Sequence, residues 1–165
     1  VSRNARVVVA IIAFQGLLFA VYAAVEASRE PEAPFLSEPL DQLAPAVTFE
    51  ARDGKVVAVD GRVVVHFWAT WCAPCRTELP QLLDAASTTD TRLLAATDEP
   101  WPVVERYFDG AVPAGIVRDP DARARAAYGV SGLPDTFVVD GDRVVGRVGG
   151  PRDWRTDSAR RFLRP

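Results

Sequence analysis

Cys72 and Cys75 are the residues whose type and spacing can do chemistry unaided. Two thiols with two residues between them can close to a disulfide and reopen, exchanging two electrons with another thiol or disulfide. They lie where Val63-Val64-Val65-His66-Phe67-Trp68 passes into Arg76, Glu78, Leu79, Leu82 and Leu83. The first run, β-branched and aromatic, reads as a strand covered on both faces, and the second as an amphipathic helix. Cys72 thus falls at a helix N-terminus, where unpaired N–H groups and the helix dipole favour a thiolate over a thiol. That makes Cys72 the nucleophile. Cys75, one turn further in, is placed to attack a mixed disulfide at Cys72 and release the product. Two other uses of a cysteine pair fit less well. A structural zinc takes about four ligands, and the chain has two Cys and one His. An inert disulfide over so short a loop would gain little chain entropy. No cofactor and no metal is expected.

The elements that must hold this pair can be read along the chain. A length of 165 residues, 48% hydrophobic and 25% charged, suits one domain with a full core and a short appendage. A net charge of −3, with no basic cluster before the last turns, argues against nucleic acid as a partner. Val7 to Val25 carries no charge, with Arg3 and Arg6 before it and Glu26 after it. It approaches the roughly 20 residues that span hydrocarbon as a helix. The positive flank keeps that end in the cytoplasm and sends the rest outward. A cleaved signal peptide is the competing reading, since Val21-Tyr22-Ala23 has the spacing a signal peptidase reads. Both readings export the domain. Residues 28–45 carry Pro31, Pro34, Pro39 and Pro45 among polar residues and read as a tether. The expected organisation is therefore an anchor or signal segment at 1–27, a Pro-rich linker at 28–45 and a catalytic domain at 46–165.

Within that domain the patterns predict a hairpin around Asp53-Gly54, the motif strand and its helix, and a strand at Thr91–Ala96. A short helix from Pro102, a strand at Ala114–Val117 and a helix capped by Asp119 and ended by Gly129 follow. A hairpin around Gly141 and a last helix from Arg152 or Asp153 complete the chain. This is an α/β protein with a mixed central β-sheet and helices on both faces.

The stretch Phe67-Trp68-Ala69-Thr70-Trp71-Cys72-Ala73-Pro74-Cys75-Arg76, with Glu78, Pro80 and Gly129-Val130-Ser131-Gly132-Leu133-Pro134-Asp135-Thr136-Phe137, resembles the thioredoxin-like thiol–disulfide oxidoreductases. Within them it is most similar to the membrane-anchored TlpA/ResA type of the bacterial cell envelope. The resemblance runs from about Ala44 to the end. It implies a thioredoxin-like fold and a cis Pro134 whose loop packs beside the cysteines and offers backbone hydrogen bonds to an extended substrate. A turn proline opening the next strand is the plainer reading. Glu78 stands where that family carries a carboxylate near the site, and a solvated glutamate favoured by the dipole fits equally. Trp71, with Ala73, Pro74 and Leu133, would contact the substrate, although Trp71 could equally be rim packing. His66 departs from the Asp of thioredoxin and the Asn of TlpA-like relatives. It is read either as a group that moves the proton of Cys75 or as a neutral core histidine with one hydrogen bond. The resemblance implies a reductase on the extracytoplasmic, periplasmic side. It would be fed by a membrane thiol transporter and act on an oxidised protein such as an apocytochrome c. With Ala73-Pro74 and no cation between the cysteines, a reductant is expected over an oxidant. A disulfide oxidase or isomerase on the same fold, or a peptide-binding module without turnover, are the alternatives.

Overall fold

The computed structural model describes residues 11–22 and 37–164. The chain divides into two compact units, residues 1–33 and 34–165. In the first, residues 11–22 are helical (α1) with every side chain exposed. Residues 7–10 and 23–25 of the expected anchor lie outside the described residues. Among the described residues no helix is long and apolar enough to cross a membrane.

The second unit is built on one eight-stranded sheet in the order β1-β8-β7-β4-β5-β6-β2-β3. In chain order its elements are β1 (Glu38–Leu43), β2 (Thr48–Glu50), β3 (Val56–Ala58), β4 (Arg62–Phe67), α2 (Ala73–Thr88) and β5 (Leu93–Thr97). Then come α3 (Trp101–Tyr107), β6 (Ile116–Arg118), α4 (Arg123–Ala127), β7 (Asp135–Asp140), β8 (Arg143–Gly149) and α5 (Asp157–Leu163). β4 pairs β5 in parallel and β7 antiparallel, so the strand leading to the cysteines is central. Its side chains alternate between two cores. Val64 and Trp68 join Leu79 and Leu82 of α2, Val104 of α3 and Leu163 of α5 on one face. Val63, Val65 and Phe67 join Ala124 of α4, Tyr128 and Phe137 on the other. A strand packed on both faces needs the unbroken apolar run that this one has.

Two expectations change. Residues 38–43, taken for part of the tether, form β1, which pairs antiparallel with β8 while Leu40 packs on the second core. Three prolines nearby hid a strand that has only a proline and a register break within it. The last helix starts at Asp157, with the Thr156 hydroxyl accepting from the Ala159 N–H, not at Arg152 or Asp153. Residues 150–156 are instead a loop that reaches back to α2.

Candidate active site

β4 ends at Phe67, and the chain runs through Ala69-Thr70-Trp71 into α2 with Cys72 as its N-cap. Pro74 stands in the first turn, where its missing N–H costs nothing. Cys72 and Cys75 are joined in a disulfide. The Cys75 N–H donates to Cys72 Sγ at 3.3 Å, so a backbone donor of the first turn already points at the sulfur that would carry charge on reduction. Cys72 is 5% exposed and Cys75 fully buried. Of the pair, only Cys72 offers a partner any surface.

The loop before the cysteines is held from the end of the neighbouring strand. Glu99, just after β5, accepts from the Thr70 N–H at 2.6 Å and from the Thr70 hydroxyl at 2.7 Å. The sequence reading did not single out Glu99. Its available signal is position, since residues beyond the carboxyl ends of parallel strands line the crevice of an open α/β sheet.

The Leu133–Pro134 peptide bond is cis. Pro134 has no N–H, and its carbonyl accepts from Gly150 N at 2.9 Å. Within the cis pair, the Pro134 carbonyl is thus engaged inside the fold. Asp135, directly after it, takes two hydrogen bonds from Arg147, at 3.1 and 2.7 Å. Burial pushes the Asp135 carboxyl up, and Arg147 works against that shift. Trp71 is 68% exposed, and Ala73 and Pro74 are exposed beside it. Leu133 is half-buried.

Glu78 is not on the solvated side of α2. It is 2% exposed, and Oε2 accepts from the Arg152 N–H at 2.7 Å. Burial pushes its carboxyl up to about 7, with Arg152 and Trp154 pulling the other way. Glu78 also sits at the inner side of a groove lined by Pro74, Thr77, Gln81, Pro151 and Arg155. His66 is fully buried, and its Nδ1 is 2.9 Å from the Thr136 hydroxyl, its direct cross-strand neighbour. Burial pushes the imidazole down to about 3, so the ring is neutral at ordinary pH. Its Nε2 lies 3.7 Å from Glu78 Oε1. Thus α2 carries Cys72, Cys75 and Glu78, β4 supplies His66, β7 supplies Thr136 and the cis-Pro loop, and Arg152 closes over Glu78. Among the described residues no group of Cys, His, Asp and Glu could hold a metal ion.

Residues 40–148 match the AhpC/TSA family. The chain is 35% identical over 125 residues to the thiol:disulfide interchange protein HelX of Rhodobacter capsulatus, covering 73% of this chain and 67% of that protein. It is 30% identical over 139 residues to the thiol-disulfide oxidoreductase ResA of Bacillus subtilis, covering 79% and 74%. A solved thio-disulfide isomerase from Thermus thermophilus superposes with a TM-score of 0.58 at 29% identity, over 70% of this chain and 88% of that one. With a thioredoxin-like α/β fold, a Cys72–Cys75 disulfide opening its central helix and these relatives, the chain belongs to the AhpC/TSA family and is a thiol–disulfide oxidoreductase.

Proposed function

We propose that the chain reduces disulfides of proteins outside the cytoplasm, with the dithiol Cys72–Cys75 as the working group. The carrying observation is Cys72 Sγ at the N-cap of α2, within reach of the Cys75 N–H. In the reduced protein the Cys72 thiolate attacks a substrate disulfide, forming a mixed disulfide and expelling one substrate thiolate. The Cys75 sulfur then attacks Cys72 Sγ, the second substrate thiol leaves, and the pair is left oxidised. Two electrons pass to the substrate. The cis-Pro134 loop at Leu133, with Trp71, Ala73 and Pro74, forms the surface on which an extended substrate segment lies. Glu78 and His66 manage the proton near Cys75.

The uncharged stretch Val7–Val25, flanked by Arg3 and Arg6, supports membrane anchoring and export of the domain. By resemblance, a membrane thiol transporter is the electron donor and an apocytochrome c a fitting substrate. The direction of exchange is tested by equilibrating the protein with glutathione. A reduction potential near that of thioredoxin, about −270 mV, supports a reductase, and one near about −120 mV makes it an oxidase. Substrates are identified with Cys75→Ser, which should leave partners disulfide-linked to Cys72, while Cys72→Ser should capture none. Equal capture by both variants would overturn the assignment of roles.

A further inference from the structure

His66 Nε2 and Glu78 Oε1 are both buried, both lack a hydrogen-bond partner, and lie 3.7 Å apart across the gap between β4 and α2. The outer atoms of the same two side chains are tied down, His66 Nδ1 to the Thr136 hydroxyl and Glu78 Oε2 to the Arg152 N–H. An approach of less than about 1 Å would bring the two orphan atoms into hydrogen-bonding range and satisfy both. A hydroxyl at Thr136 can donate or accept, and a neutral imidazole always carries one N–H and one acceptor nitrogen.

We propose that Glu78, His66 and Thr136 form a proton-holding unit in which His66 stays uncharged and changes tautomer to follow the protonation of Glu78. With Glu78 protonated, its O–H donates to His66 Nε2 and Nδ1–H donates to the Thr136 oxygen. With Glu78 ionised, Nε2–H donates to Oε1 and the Thr136 hydroxyl turns to donate to Nδ1. One proton leaves the unit in passing from the first state to the second, and the ring holds one throughout. Burial that pushes His66 down to about 3 and Glu78 up to about 7 disfavours an imidazolium–carboxylate pair.

Among the described residues, the groups facing the unit come from three elements. On α2, Cys75 lies one turn before Glu78. From the loop before α5 come the N–H and charge of Arg152 and the Trp154 side chain, which favour the carboxylate, and Asp153 and Arg155, which pair with each other at the groove. From β7 comes only the uncharged Thr136. The functional consequence rests on Cys72–Cys75 being the working dithiol. Residues three apart share a helix face, so an ionised Glu78 opposes a second negative charge on the cysteine sulfurs and a protonated one does not. His66 is thus a positioning residue for that proton.

The test uses the full chain, where a single histidine makes the ring signals unambiguous. Nitrogen NMR of His66 is followed from about pH 5 to about pH 9, together with the alkylation rate of the reduced cysteines. The expected result is a neutral ring throughout, protonated on Nδ1 at low pH and on Nε2 at high pH. The alkylation profile should carry an inflection at the pH of that swap. Glu78→Gln should fix one tautomer at every pH and remove the inflection. Thr136→Ser should keep the swap, and Thr136→Val should move its midpoint. An imidazolium forming in this range, or a single tautomer while Glu78 titrates, overturns the proposal. The swap found in a protein that reduces no disulfide would sustain the unit and sink the reductase reading.

Discussion

At the scale of single residues, Glu78 and His66 make opposite demands on pH as the chain folds. Burial raises Glu78 from 4.5 to about 7, so its folded state holds the proton more tightly than the unfolded chain. The stability linked to it is complete below pH 4.5 and is lost as pH rises through about 7, up to about 3 kcal/mol in all. His66 falls from 6.5 to about 3, so its share is complete above pH 6.5 and is lost as pH falls towards 3. Glu78→Gln should therefore remove the decline between about pH 4.5 and about pH 7 and leave the loss below pH 4.5 unchanged, as read from urea midpoints across a pH series. An unaltered slope in that window would refute the burial argument. The cysteines were legible in the sequence because a strand-to-helix switch surrounds them. The burial of Glu78 was not, because a glutamate in the first turns needs no partner and the loop that covers it read as helix. The His66–Thr136 contact was hidden for another reason. Both strands could be read, but their pairing register could not.

At the scale of elements, the site depends on how α2 and its neighbours are tied down. Removing the Glu99 carboxylate in Glu99→Ala should free the Thr70 N–H, raising its amide exchange at least about tenfold while the middle of α2 stays protected. Unchanged exchange at Thr70 would show that the clamp is redundant. α4 has no side-chain cap at Ala122, and the buried Asp119 does that work, accepting from Ala124 N at 3.1 Å and Arg125 N at 2.8 Å. Asp119→Ala should cost about 1–2 kcal/mol, seen as a lower thermal midpoint, with only part of it restored in Asp119→Asn, whose amide keeps one of the two acceptor oxygens. Gly115 has φ +88, and a Cβ there would meet the Leu93 carbonyl oxygen at 2.6 Å. Gly115→Ala should destabilise by more than about 1 kcal/mol through backbone strain and this contact together. The order of elements from β2 to β8 was legible because turn residues punctuate strongly patterned strands. The limits of α5 were not, since Trp154 belongs to the core without belonging to the helix.

At the scale of the whole molecule, the boundary of the folded domain lies earlier than composition suggests. A chain beginning at Ser37 should unfold at a higher temperature than one beginning at Ala46, because the second loses β1, its pairing with β8 and the Asp41–Arg143 ion pair. Equal midpoints would return those residues to the tether. If the stretch Val7–Val25 anchors the chain as proposed, a reporter fused after Pro165 should be active only on the outer side of the membrane, and activity on the cytoplasmic side would overturn the export reading. β1 has one more consequence, which concerns neighbouring molecules. It ends the sheet with a proline that cannot donate and a break in register, both of which discourage another strand from joining. At the opposite rim β3 is only three residues long. Without β1, the seven residues of β8 would stand as a bare edge with open backbone donors and acceptors. Residues 38–43 therefore set how crowded this protein can become before its sheets begin to grow into one another.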